Sequence, residues 1–343
     1  VIGCWQEDYF RSAFALPNRP LTFSSVAIAN RSLTRNRWFA FGLPRLVDAL
    51  QPNIVHLGFP MPVQRRRDGP PIVATIHDLY PFDYPENFGY PQVFLNQLFL
   101  RICLHNSDAL ACVSQTTSAR LGHHFPHAAA HRPTAVIPNY VDFPACAASP
   151  TENFAVPCAP FLLSVAQHRK NKNLDLLVRA FHRLRSEGVL APEFRLVLVG
   201  GSGPETHTLT ALVDRLGLSA QVDFLDGLQD AHLTSFYRHC RLFVAPSSIE
   251  GFCLPLAEAL YFDCPVVCSD IPTFREVGSE RCTTFSLDGD ATTNLVEAIA
   301  RTLTSAPPAS GAPFPFTRAR TAASCLELYS KLSPAATGVR GGL

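Results

Sequence analysis

The stretch Leu242-Phe-Val-Ala-Pro-Ser-Ser-Ile-Glu250-Gly-Phe-Cys-Leu-Pro-Leu-Ala-Glu258 decides the fold. Its first four residues are an uninterrupted apolar run, Pro246-Ser247-Ser248 makes a turn, and Pro255 sits where a helix tolerates proline, in its first turn. A short all-apolar run that feeds a helix reads as a parallel strand buried on both faces. The same alternation fills the second half of the chain. Strands are predicted at Phe161–Ala166, Phe194–Val199, Val222–Leu225, Leu242–Ala245 and Val266–Cys268. Helical spacing follows each, at Leu174–Leu184, Glu205–Leu216, Ala231–His239, Leu254–Phe262 and Asn294–Leu303. This pattern predicts a doubly wound α/β domain, which takes ligands at the carboxyl ends of its strands.

The first half reads similarly but less cleanly. Strand candidates are Asn53–Leu57, Ile72–Ile76, Leu110–Val113 and Ala135–Ile137; helices are predicted at Trp38–Leu50, Pro91–Asn106 and Thr116–His124. Between the halves, Phe143 to Pro160 is proline-rich and aperiodic, as an interdomain linker is. A second proline-rich stretch, Ser305 to Phe316, precedes a short helical pattern, Ala319 to Leu332, expected to pack back across the first domain. The expected organisation is therefore 1–145 as a first, acceptor-side domain, 146–160 as linker, 161–304 as a second domain, 305–316 as a crossover and 317–333 as a closing helix, with a cleft between the two α/β domains.

Composition narrows the class. The 343 residues are 47% hydrophobic and 17% charged, ample for two cores and incompatible with a disordered chain. A net charge of +1 argues against a duplex-DNA binder that works through bulk charge. Residues 1–150 carry 12 Arg and no Lys, a net +3, whereas residues 151–343 come to −2. No run of about 18 apolar residues suggests a membrane span, and no signal-peptide pattern opens the chain. The 11 cysteines form no C-x-x-C pair and read as buried small hydrophobes in a reducing, cytoplasmic setting. The chain opens on Val1 and not on Met, and an upstream segment is expected to be missing.

Three constellations carry candidate chemistry. Glu250 falls in the loop before a helix and Glu258 about one turn into it. The free N–H groups of Phe252, Cys253 and Leu254 would then face the cleft as an anion site. Carboxylates on either side of such a site suit a ligand with phosphate and sugar hydroxyls; equally, both glutamates could simply offset the helix dipole. Second, Arg169 and Lys172 lie three apart at a helix start and can point the same way. Cations oppose the dipole there, so they either serve a diphosphate or form an exposed basic turn. Third, the Gly200-Gly201-Ser202-Gly203 turn lets backbone approach a ligand, or merely connects strand to helix. Asp288-Gly-Asp290 has a metal-binding D-x-D form, but Asp290 is better placed as a helix N-cap, and no metal is expected.

In order along the chain, Thr75-Ile-His-Asp-Leu79, Val136-Ile-Pro-Asn-Tyr-Val-Asp142, Lys172-Asn-Leu174, Leu198-Val-Gly-Gly201, Phe243-Val-Ala-Pro-Ser247, the E-x7-E element Glu250 to Glu258, Pro265-Val-Val267 and Arg275-Glu-Val-Gly278 resemble retaining glycosyltransferases of the GT-B fold, in the large family-four group. The resemblance implies two Rossmann-like domains, a nucleotide-diphosphate sugar as donor, and no cofactor or metal. By the same resemblance, Glu258 would accept hydrogen bonds from the donor ribose and Glu250 would hold donor sugar hydroxyls, helped by amides near Phe252, Cys253 and Leu254. Arg169 and Lys172 would neutralise the diphosphate, Gly201 would let backbone approach the donor, and His77 would reach the sugar or acceptor across the cleft, unless it is a structural histidine at a strand end. Base recognition is expected from backbone around Asp226 to Leu228, and Asn139 is expected to shape a turn. Transfer with retention, to a glycan or lipid-linked glycan of a cell-surface polysaccharide, is the implied activity. The implied partners exclude nucleic acid.

The chain departs from the family pattern at three places. Gln167 stands where an arginine is usual, with Arg169 as its expected replacement. Cys253 stands where glycine is usual. No opening strand with a glycine-rich acceptor loop is recognisable, so the first domain is expected to lack that strand. A catalytically inactive nucleotide-sugar-binding remnant is therefore the alternative, and a sugar-nucleotide epimerase is a poorer third. The arginines of the first domain, Arg65-Arg66-Arg67 and Arg31, Arg35 and Arg37, either meet anionic lipid at the inner face of the membrane or form a solvated surface. Lys172→Ala and Glu258→Ala are each expected to cut transfer while leaving folding intact.

Overall fold

The structure is a computed structural model and describes residues 2–3, 6, 24–29, 31–143, 156–305 and 313–332. Most of the proposed linker, much of the proline-rich crossover, and Cys4 and Cys146 lie outside the described residues.

The second domain is a six-stranded, all-parallel sheet: β7 (Phe161–Val165), β8 (Arg195–Val199), β9 (Val222–Leu225), β10 (Leu242–Ala245), β11 (Val266–Ser269) and β12 (Thr283–Phe285). Their spatial order is β12-β11-β10-β7-β8-β9. The order reverses between β7 and β10, which opens a crevice beyond their carboxyl ends. Alternate residues of each strand enter different cores. Leu162, Leu196, Leu198, Leu242 and Val244 meet the helices α6 (Leu174–Ser186), α7 (Thr206–Arg215) and α11 (Ala291–Thr304). Phe161, Leu163, Val197, Phe243 and Val266 meet α8 (Asp230–His239), α9 (Leu254–Tyr261) and α10 (Pro272–Gly278). Burial on both faces is why these strands read as unbroken apolar runs. In α6 the buried residues Leu174, Leu177, Val178, Phe181 and Leu184 form one stripe at helical spacing.

The first domain holds a second parallel sheet, in the order β3 (Val55–Leu57), β4 (Ile72–Ile76), β5 (Ala109–Cys112), β6 (Thr134–Val136). Helices α1 (Ser32–Leu50), α2 (Tyr80–Asp83), α3 (Gln92–Asn106), α4 (Gln115–His124) and α5 (Pro126–His131) accompany it. A two-residue strand β1 (Ile2–Gly3) pairs in parallel with β2 (Ser25–Val26), apart from the four-stranded sheet. Helix α12 (Arg318–Ser330) returns to this domain. Its Leu328 packs with Val73, Ala109, Ala111 and Ile137 on the sheet face away from α3. Thr321 donates to the Pro138 carbonyl at 3.0 Å and Arg318 pairs with Asp142.

Differences from the sequence reading have local causes. α1 starts six residues before the predicted Trp38, at Ser32, and carries Pro44 inside it. The strand β12, Thr-Thr-Phe, was not anticipated because it is short and polar, and α10 because it spans only seven residues. Asp290 caps α11 as predicted, accepting from the amides of Thr292 and Thr293 at 3.1 and 3.2 Å. Two arginines of the basic triplet are engaged within the protein: Arg65 with Asp108 at 2.7 Å, and Arg66 with Asp48. Among the described residues no helix is long and apolar enough to cross a membrane.

Candidate active site

The reversal point of the second sheet opens into a cavity of about 440 Å³. Ser164, Val165 and Ala166 at the end of β7, and Ala245, Pro246 and Ser247 at the end of β10, form its floor. Gln167, Arg169 and Lys172 supply one side; Glu250, Cys253 and Pro255, at the start of α9, supply another. The first domain closes it with Asp78, Tyr80 and Phe88.

Lys172 and Glu250, 78 positions apart, meet at 2.6 Å, with side chains 17% and 4% exposed. The second carboxylate oxygen of Glu250 accepts from the Tyr80 hydroxyl at 2.9 Å. Burial works to lower the Lys172 pKa, but the adjacent Glu250 outweighs it, and the ammonium is held above its ordinary value. Lys172 is therefore a fixed positive charge in this cavity. Arg169 is placed beside it by an extended residue before a 3₁₀ turn, Lys170–Lys172. Its Nε donates to Gln167 Oε1 at 2.7 Å, and its guanidinium lies 5.7 Å from the Phe88 ring centre. Gln167, where the family resemblance called for arginine, thus orients Arg169.

Tight backbone contacts fix the loop that carries Glu250. A Cβ on Gly251 would fall 1.7 Å from the His77 carbonyl, and the Gly251 carbonyl accepts from the hydroxyls of Ser114 (2.6 Å) and Thr117 (3.1 Å). Only glycine fits where the two domains meet this closely. The next position but one, Cys253, has φ of 68°, a left-handed conformation that side chains disfavour. This explains why glycine suits the position in the family pattern. No side chain caps the N-terminus of α9, so its first-turn amides are available to an anion.

The structure does not bring every predicted residue to the cavity wall. The His77 ring is turned to the Gly58 carbonyl, 2.7 Å from Nε2, and it is the neighbouring Asp78 that lines the cavity. Phe252 is buried with its ring against Phe316, and Leu254 is exposed beside the cavity. Gly201 does not line the cavity, and its carbonyl accepts from His168 N at 3.3 Å. Gly200 and Gly203 are needed for contact, since a Cβ on either would strike the carbonyl of Ala166 or His168. Glu258 lies deeper along α9, where Tyr237 donates to it at 2.7 Å. Burial raises the Glu258 pKa, with a smaller lowering from the Tyr237 hydrogen bond.

That last arrangement gives a prediction. Tyr237 stabilises the ionised form of Glu258, so removing its hydroxyl raises the Glu258 pKa further. A reaction that needs ionised Glu258 loses rate as pH falls through that value. Tyr237→Phe is expected to move the acid limb of the pH profile of donor kcat/KM to higher pH, leaving the plateau near neutral pH close to wild type. An unmoved limb would show that Glu258 is not the group titrating.

Other interdomain bonds surround the cavity. Asn87 donates to Asn171 at 3.0 Å, Lys170 pairs with Glu86 at 2.6 Å, and Glu276 of α10 accepts from the amides of Gln115 and Thr116 at the start of α4. Asp78 and Tyr80 escaped the sequence reading because they reach this cavity only when the domains approach, Tyr80 meeting Glu250 across 170 positions. The only local signal was their place just after a strand, Asp78 within the quoted Thr75–Leu79 segment and Tyr80 one residue beyond it.

A crevice with two cations, a buried carboxylate and an open helix N-terminus, at the reversal point of one of two facing α/β domains, defines the GT-B class of sugar-transferring proteins. Comparison with known proteins agrees. Residues 152–310 match the family described as glycosyl transferases group 1, and residues 8–143 match glycosyltransferase family 4. The chain belongs to the group 1 glycosyltransferases of GT-B fold. It is 27% identical over 209 residues to an O-antigen chain mannosyltransferase B of Escherichia coli, covering 60% of this chain and 54% of that protein. It is 32% identical over 137 residues to the O-antigen biosynthesis glycosyltransferase WclY of Escherichia coli, covering 40% and 35%. The matches therefore span about half, or less, of these relatives' lengths. Among solved structures, WaaG, a glycosyltransferase involved in lipopolysaccharide biosynthesis, superposes with a TM-score of 0.65 at 18% identity, covering 100% of this chain and 97% of the other; this likeness is one of fold.

Proposed function

We propose that this chain transfers a sugar from a nucleotide-diphosphate donor to a glycan or lipid-linked glycan acceptor, with retention at the anomeric carbon, in the synthesis of a cell-surface polysaccharide on the cytoplasmic side of the membrane. The observation that carries this is the placing of Arg169 and Lys172 against Glu250 and the start of α9 around one cavity. The names of the O-antigen relatives support the polysaccharide role and make a mannosyl donor the first to try.

In this reading Arg169, Lys172 and the α9 amides hold the diphosphate and stabilise the charge that grows on it as the glycosidic bond breaks. With two cations and a helix terminus facing two negative charges, a divalent ion is unnecessary. Glu250 takes sugar hydroxyls on the lone pairs that Lys172 and Tyr80 leave, and Glu258 takes the ribose. Glu250 is engaged by Lys172 and Tyr80 and is not free as a nucleophile, unlike the second carboxylate of retaining glycosidases. The acceptor therefore attacks on the face from which the diphosphate departs, and the departing phosphate oxygen takes its proton.

The test is nucleotide release from GDP-mannose, UDP-glucose, UDP-galactose, UDP-N-acetylglucosamine and UDP-N-acetylgalactosamine, with and without glycoside acceptors. One donor is expected to turn over. Binding without release or transfer for any donor would point instead to an inactive sugar-nucleotide binder.

A further inference from the structure

The first-domain wall of the cavity has a chemistry of its own. Asp78 leaves the end of β4, and its Oδ1 accepts from the Tyr80 amide at 3.1 Å, which fixes the carboxylate at the start of α2. Its Oδ2 makes no hydrogen bond among the described residues. The Tyr80 hydroxyl is committed to Glu250 and to the Ile249 carbonyl. The polar group this wall leaves for a substrate is thus one carboxylate oxygen, with the half-buried Phe88 ring as the apolar surface beside it. A carboxylate next to an aromatic ring suits a sugar, whose hydroxyls donate and whose C–H faces pack on the ring.

The same wall disfavours anions. Burial raises the Asp78 pKa, against smaller lowerings from the Tyr80 amide, His77 and Lys172, and the Glu250 charge across the cleft adds to the rise. A phosphate or carboxylate on an acceptor would add a third negative group there, whereas a neutral hydroxyl would donate to Oδ2. The two cations of the cavity are engaged elsewhere: Lys172 is paired with Glu250, and Arg169 is held by Gln167 beside the Phe88 ring.

We propose that Asp78 holds the attacking hydroxyl of a neutral sugar residue at the acceptor's end, and that this wall rejects acceptors whose reacting end is a phosphate or an acid. The assignment rests on the transferase reading above. In the step it serves, the bond from the acceptor oxygen to the anomeric carbon forms and the bond from that carbon to the diphosphate breaks. The hydroxyl proton, directed at Asp78 Oδ2 before reaction, turns to the departing diphosphate oxygen and is taken by it as the new bond forms, and Asp78 keeps its charge.

The test compares wild type with Asp78→Asn, which retains an oxygen for the Tyr80 amide but not the charge, and with Phe88→Ala. The donor that turns over is offered to neutral p-nitrophenyl glycosides and to the corresponding sugar 6-phosphates, and affinity for GDP and UDP is followed by calorimetry. Asp78→Asn is expected to lose about 10²-fold in transfer to the neutral glycoside, the worth of a charged hydrogen bond to a reacting hydroxyl, while nucleotide affinity moves less than about threefold. Its preference for neutral over phosphorylated acceptor should shrink, and Phe88→Ala should raise the acceptor KM. Wild-type transfer rates in Asp78→Asn, or a parallel loss of nucleotide affinity, would overturn the assignment. So would a wild-type protein that glycosylates phosphorylated acceptors as readily as neutral ones, a result that requires no variant to fold. A wild type that turns over no donor at all contradicts the transferase reading itself, and this assignment with it.

Discussion

Lys172→Ala is expected to lower kcat for sugar transfer by about 10²–10³-fold, the loss typical of removing a preorganised charge from a developing anion. It is also expected to destabilise the fold. Glu250 is 4% exposed and Lys172 is its ion-pair partner at 2.6 Å. Removing one member of a buried pair leaves an uncompensated charge and costs about 3–5 kcal/mol. The sequence alone suggested a substitution harmless to folding; the pairing seen here revises that. The two losses can be separated. A Lys172→Met, Glu250→Gln double variant removes both charges, so most of the lost stability should return in urea unfolding while transfer stays low. Recovery of activity together with stability would mean that Lys172 acts only by neutralising Glu250.

Glu258→Ala is the second large effect. If Glu258 accepts two ribose hydroxyls, each charged hydrogen bond is worth about 1.5–3 kcal/mol, and donor kcat/KM should fall by about 10²–10⁴-fold. The loss should appear mainly as a raised donor KM, because the ribose is held equally in the ground and transition states. Here too folding is not untouched: the buried Tyr237 hydroxyl loses its acceptor, which costs about 1–3 kcal/mol. Glu258→Gln keeps an acceptor for Tyr237 and should restore stability more than donor affinity. Unchanged donor KM in both variants would remove Glu258 from the ribose site.

How much of this was legible in the sequence depends on how local the cause was. The strands of the second domain could be read because burial on both faces makes them apolar throughout; Val222–Leu225 and Leu242–Ala245 match the predicted ends. Asp290 could be read because a cap acts within three residues of itself. Lys172 and Glu250 could be brought to one site from the sequence only through the family resemblance; what makes them neighbours is the reversal of strand order, which places the ends of β7 and β10 side by side. The first-domain wall could not be read. Whether His77 or Asp78 faces the cleft depends on which way the chain turns after β4, and two adjacent polar residues at a strand end look alike in sequence. Tyr80 gains its part only when the domains approach. Gln167 looked like a defect where an arginine is usual, yet its carbonyl holds the arginine two positions on.

The placing of the donor is tested most sharply by a crystal structure of the protein with the nucleotide-diphosphate sugar that it turns over. The diphosphate is expected between Arg169, Lys172 and the first turn of α9, with the sugar against Glu250 and facing Asp78. A donor bound with its diphosphate outside this cavity, its phosphates touching neither cation, would contradict that placing.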